Sequence, residues 1–225
     1  MFTTGNAAER APGKISVKNG QKIAFLGDSI TAAGKRPSGY CQLVLSALKD
    51  QGIEATPVFA GIGGHKSNQM LARLEKDVLR HKPDWMTLSC GVNDVWHGPR
   101  GVDLKSYKKN ITEIVKHAQA AGVKVVLLTS TMIREDQSND LNQKLLPYNK
   151  FIKELAKEKK CLLADLNADM QAALKTFPPD APKGKQLTND GVHMNKAGNI
   201  IMARGVAKAF GLTDQQLNKS SKNWK

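Results

Sequence analysis

Lys22-Ile23-Ala24-Phe25-Leu26-Gly27-Asp28-Ser29-Ile30-Thr31 joins a compact apolar run to a turn that opens on Gly27. A run with so little polar–apolar alternation suits a strand buried on both faces, as in a parallel sheet. Four more runs of this kind follow: Thr56–Ala60 (TPVFA), Trp85–Ser89 (WMTLS), Val123–Thr129 (VKVVLLT) and Cys161–Leu166 (CLLADL). Between them the apolar residues recur at helical spacing. Tyr40–Lys49 aligns Leu43, Val44 and Ala47, and Leu71–Leu79 aligns Leu71, Leu74 and Val78. Leu104–Ala121 aligns Tyr107, Ile111, Ile114, Val115 and Ala118, with Gly122 as its stop. Leu145–Lys157 and Ala197–Phe210 complete the set. Strand and helix alternating at this rhythm predict an α/β fold: a three-layer α/β/α sandwich around a mostly parallel, five-stranded sheet. One domain is expected, with a core over about residues 22–211 and polar extensions at both ends, Gly211–Lys225 among them.

Composition removes several function classes. Of 225 residues 40% are hydrophobic and 24% charged, which excludes a disordered chain, a collagen-like repeat and a coiled coil. No apolar run approaches the ~20 residues of a membrane span. Residues Met1–Lys14 lack the apolar segment of a signal peptide. Thirty-four basic against 20 acidic residues give a net charge of +14, which attracts anions in general. The basic residues are dispersed, however. Lys108-Lys109, Lys157, Lys159-Lys160, Lys183 and Lys185 lie in separate segments, and aromatics are only 5%. A solvated basic surface is favoured over a specific nucleic-acid site. Cys41, Cys90 and Cys161 form no CxxC pair, and Cys90 and Cys161 read as small core residues. With no HExxH and no cluster of His, Asp and Glu, neither a metal nor any other cofactor is expected.

Ligands of such sheets bind at the carboxyl ends of the strands. The residues after each run are therefore the ones to read. They are Gly27-Asp28-Ser29, then Gly61-Ile62-Gly63-Gly64-His65, then Gly91-Val92-Asn93-Asp94; Asp190-Gly191-Val192-His193 precedes the last helix. Ser29 is a hydroxyl at a strand-to-helix turn and needs a base to become a nucleophile. His193 suits that role, with Asp190 holding its other nitrogen. The Ser29 N–H, the Gly64 N–H and the Asn93 amide are candidate donors to an oxyanion. Each motif alone has a plainer reading. GDS caps helices, GIGG is a tight turn that lacks the GxGxxG frame, and Asn-Asp marks a turn. Their combination at the strand ends, with complementary roles, favours chemistry.

The four blocks together resemble the SGNH hydrolases, also called GDSL lipases or esterases, over roughly Lys22 to Gly211. The resemblance implies a flavodoxin-like sandwich, Ser29 as nucleophile, His193 as base, Asp190 as its orienter, and Ser29, Gly64 and Asn93 as the oxyanion hole. In that family the glycine block often opens on Asn where this chain has Phe59. Asp28, His65, Trp96 and His97 are candidate substrate-binding residues, with His65 and Lys66 adding positive character to the rim. The resemblance implies hydrolysis of carboxylic esters through an acyl-enzyme. A chain without a lid insertion favours short acyl groups, acetyl above all, on carbohydrates or small alcohols. The alternatives are a lysophospholipase- or thioesterase-type acyl hydrolase and a non-catalytic module that binds polyanions.

Overall fold

The computed structural model describes residues 14–178 and 184–224. Five strands, β1 (Lys22–Gly27), β2 (Thr56–Gly61), β3 (Trp85–Ser89), β4 (Lys124–Leu128) and β5 (Leu162–Ala164), form one sheet. Its order is β2-β1-β3-β4-β5, and every pairing is parallel. That is the flavodoxin-like order, in which the chain runs outward from β1 to β2 and returns to the other side of β1 as β3. The crevice between the ends of β1 and β3 is the switch point where such sheets place their ligands.

Nine α-helices are described: α1 (Ser29–Gly34), α2 (Tyr40–Lys49), α3 (Ser67–Asp77), α4 (Val92–Trp96), α5 (Leu104–Ala120), α6 (Asp140–Glu158), α7 (Leu166–Leu174), α8 (Lys196–Ala209) and α9 (Asp214–Ser220). Helices α2, α7 and α8 pack together, and α3, α5 and α6 form a second group. The central strands are covered on both faces: Ile23–Gly27, all of β3 and Val125–Leu128 are buried. Each fully buried Ile23, Phe25 or Leu26 contributes about 1.5–3 kcal/mol relative to exposure. Such burial makes β1 a rigid base for the turn at its end.

Several expectations need correction. Strand β2 is half exposed, because it is an edge strand; Pro57, which has no N–H to donate, is tolerated there. The tail beyond Gly211 does not extend past the core. Thr213 and Gln216 form a capping box that starts α9, and Leu212, Leu217 and Trp224 are buried. The core also begins before residue 22, since Val17 is buried and Ser16 N–H donates to Phe210 O at 2.8 Å. The rest of the expected N-terminal extension lies outside the described residues. Cys161 is half-buried, whereas Cys41 and Cys90 are buried; all three are free thiols. Helix α6 starts five residues before Leu145 because Asn139 caps it, accepting from the N–H groups of Leu141 and Asn142. Among the described residues no helix is long and apolar enough to cross a membrane.

Candidate active site

Three strand ends and one late loop converge. Strand β1 ends at Gly27, where a side chain would overlap the Thr31 hydroxyl. Asp28 then caps α1 by accepting from Ile30 N–H at 2.9 Å. This leaves Ser29 as the first residue of the helix, half-buried, with its N–H free of protein acceptors among the described residues. Asp28 itself is buried beneath the site, where an exposed substrate-binding position was expected. Burial pushes its carboxyl up to about 6, opposed by the Ile30 bond and reinforced by nearby Asp94.

At the end of β2, Gly61 lies so close to α1 that a Cβ would overlap the Ala32 nitrogen. The loop then turns, with Ile62 N–H donating to Gly27 O at 3.1 Å and His65 N–H to Ile62 O at 3.3 Å. Gly64 has φ +74°, a left-handed conformation that favours glycine. Its N–H also finds no protein acceptor among the described residues. Beyond β3, Gly91 at φ +135° opens α4 and passes so close to Ser130 that a side chain would overlap its hydroxyl. Two residues on, the Asn93 amide is buried and donates to His65 O at 3.1 Å. The neighbouring Asp94 accepts from Ser67 N–H at 3.0 Å and Ser67 Oγ at 2.6 Å, tying α4 to the start of α3. That tie explains why α3 begins at Ser67, ahead of the expected Leu71. Burial raises the Asp94 carboxyl, against those same hydrogen bonds.

The late loop supplies the base. His193 Nδ1 lies 2.6 Å from Asp190 Oδ2, and Nε2 lies 2.8 Å from Ser29 Oγ. Asp190 also accepts from the N–H groups of Val192 at 3.0 Å and His193 at 2.8 Å. Its largest single influence is burial, which raises it, but the bonds from His193 and Val192 together hold it below the ordinary carboxylate range. An ionised carboxylate only accepts, so Nδ1 carries the ring proton and Nε2 is left to accept from the Ser29 hydroxyl. Glu135, beyond β4, braces this loop. It accepts from the N–H groups of Gln186, Leu187 and Thr188 at 2.7–2.8 Å and from the Thr188 hydroxyl at 2.7 Å. Nothing in the local sequence marks Glu135, because its partners lie some fifty residues away.

The rim is open. Trp96 is 43% exposed, with His97 tilted against it, and Ile62 is 39% exposed. His65 is half-buried. Burial first, and then the charges of Arg73 and Lys66, hold it below the ordinary histidine range, against the pull of Asp77. It therefore brings a neutral ring to the rim where positive charge was expected. A cavity of about 850 Å³, lined by Lys35, Arg36 and Trp224 among others, contains none of the residues just described.

Known proteins share this arrangement. The model of the GDSL-like lipase/acylhydrolase family matches residues 25–200. An acetylxylan esterase of Geobacillus stearothermophilus is 29% identical over 219 residues, covering 88% of this chain and 97% of the relative. Its crystal structure, Axe2, superposes with a TM-score of 0.79 over 88% of this chain and 98% of that one. Catalytic mutants of that enzyme with alanine in place of a serine, an aspartate or a histidine have also been solved. The acetyl xylan esterase AlAXEase is 38% identical, with a TM-score of 0.76 over 84% of this chain and 98% of that one. Fold, site geometry and a family match spanning most of the chain agree: it belongs to the GDSL-like lipase/acylhydrolase family.

Proposed function

We propose that this chain is a serine carboxylic ester hydrolase that removes acetyl groups from carbohydrate esters. The observation that carries the reading is the hydrogen-bonded relay Ser29–His193–Asp190, at 2.8 and 2.6 Å, beside the Asn93 amide and the Gly64 N–H, which is unpaired among the described residues. Ser29 Oγ attacks the acetyl carbonyl carbon while His193 Nε2 takes its proton. The carbonyl oxygen becomes an oxyanion held by the N–H groups of Ser29 and Gly64 and by Asn93. The intermediate collapses, the sugar oxygen leaves with the proton from His193, and acetyl-Ser29 remains. Water then attacks the acyl carbon with His193 again as base, the second intermediate collapses as Ser29 Oγ takes that proton back from His193, and acetate departs.

Two observations favour acetyl over long acyl chains. The rim is open, with Trp96 and Ile62 exposed, and two relatives that match this chain almost end to end are acetylxylan esterases. Exposed Trp96 and Ile62 offer an apolar rim against which a sugar ring packs, with His65 and His97 beside it. A series of p-nitrophenyl esters from acetate to decanoate, run beside acetylated xylo-oligosaccharides, tests this. Activity is expected to be highest on acetyl groups and to fall with chain length. A maximum on long chains would replace this reading with a lysophospholipase or thioesterase.

Asn93→Ala tests the oxyanion hole. A donor used in the transition state alone lowers kcat and spares KM, and losing one costs about 10²–10³-fold in kcat. Measuring kcat and thermal stability on the same preparation separates this role from a purely structural one. Near-wild-type turnover with lowered stability would remove Asn93 from the hole.

A further inference from the structure

Under the glycine loop lies a buried guanidinium that the relay does not use. Arg73 is 8% exposed, on the face of α3 that also buries Met70 and Leu74. Its Nη2 donates to Gly27 O at 2.9 Å and its Nη1 to Ala60 O at 2.8 Å. Nε donates to His65 Nδ1 at 3.1 Å, and Nη1 also meets the Asp77 carboxylate at 3.1 Å. The destinations are informative. Gly27 ends β1, two residues before Ser29. Ala60 is the last residue before the glycine block, and His65 is the first residue after it. The His65 carbonyl in turn accepts from Asn93. If packing alone were required here, an apolar side chain would fill the place without the cost of burying a charge.

Building on the reading of the site given above, we propose that Arg73 is a positioning residue for the oxyanion hole. Its rigid planar fork holds the ends of β1 and β2 and the exit of the glycine block in one register. The Ser29 N–H, Gly64 N–H and Asn93 amide thereby aim at a single oxygen. His65 is the joint between the two halves, its ring bound to Arg73 and its carbonyl to Asn93. Because guanidinium only donates, His65 Nδ1 is the unprotonated nitrogen of a neutral ring.

Arg73→Lys keeps the charge and the partner Asp77, but a compact ammonium on a flexible stem cannot span three acceptors lying in different directions. On p-nitrophenyl acetate, kcat is expected to fall about 10–100-fold with KM within about twofold of wild type. Affinity for a trifluoromethyl ketone, which forms an oxyanionic adduct with Ser29, should fall by the same factor; loss of general stability would not produce that match in the folded fraction. Asp77→Asn keeps an acceptor for Nη1 and should leave kcat near wild type. His65→Ala removes one acceptor and leaves the main chain intact. It should lower kcat and ketone affinity by a smaller factor, which His65→Asn partly restores. A folded Arg73→Lys protein with wild-type kcat and ketone affinity would overturn the proposal. If Arg73→Lys does not fold, His65→Ala carries the test, and unchanged values there would overturn it equally. Ser29→Ala, run alongside, keeps the two readings apart. Activity surviving in that variant sinks the serine-esterase reading, whereas its loss beside a wild-type Arg73→Lys sinks only the role of Arg73.

Discussion

Ser29→Ala should lower kcat by about 10⁴–10⁶-fold, the loss typical of removing the nucleophile from a relay whose members act as a unit. His193→Ala should fall into the same range, and combining the two should cost little more than either alone. The non-additivity follows from the geometry. The Ser29 hydroxyl has its hydrogen bond to His193 Nε2 at 2.8 Å, so neither group has a role in proton transfer without the other. What survives would come from the oxyanion donors, which do not depend on the serine hydroxyl. A fluorophosphonate should label wild-type protein once, at Ser29, and should not label the alanine variant. Labelling at another residue of active protein, or full activity in Ser29→Ala, would remove the acyl-enzyme from the mechanism. Fold stability should change little, since among the described residues Ser29 Oγ supports no main-chain group and Asp28, not Ser29, caps α1.

The fold and the core of the site were legible because both are written locally. The central strands are short apolar runs, and three of the four site blocks sit at the ends of strands. Asp190 and His193, three residues apart, share one turn. The misread parts depend on contacts distant in sequence. The start of α3 is set by Asp94, twenty-seven residues from Ser67. The edge position of β2 follows from the sheet order, which no run of five residues encodes. Helix α9 carried a local signal, Thr213 with Gln216 three residues on, but its buried face rests on few apolar residues. Arg73 was legible in principle, as a charge at a position where the periodicity of Met70 and Leu74 calls for an apolar residue. The burial of Asp28 was not legible, because the same carboxylate suits a buried cap or an exposed rim.

Asp190→Asn should lower kcat by about 10³–10⁴-fold and also move the acid limb of the pH profile, and the second effect is the more diagnostic. The sign follows from charge. Catalysis needs the imidazole of His193 neutral, so kcat/KM rises with pH as that ring loses its proton. An anionic partner 2.6 Å from Nδ1 favours the protonated ring, so removing the charge should move the limb to lower pH. Asp190 is suited to this role, because its hydrogen bonds hold it ionised well into acid. The same depression makes a contribution to folding that is present above the unfolded carboxylate pKa and is lost as pH falls through the lower folded value. Water screens the pair, since the Asp190 side chain is 51% exposed, so the shift should be smaller than for a buried pair and should shrink with salt. Asparagine adds a second fault: its amide donates to Nδ1 and leaves the ring proton on Nε2, where Ser29 needs an acceptor. Asp28, pushed up to about 6 by burial and coupled electrostatically to His193, would add its own titration to the profile. The comparison therefore belongs in an Asp28→Asn background, which keeps a capping oxygen for Ile30 N–H. In that background a limb that stays in place, with a rate within about tenfold of the parent, would show that Asp190 shapes the loop and takes no part in tuning the base.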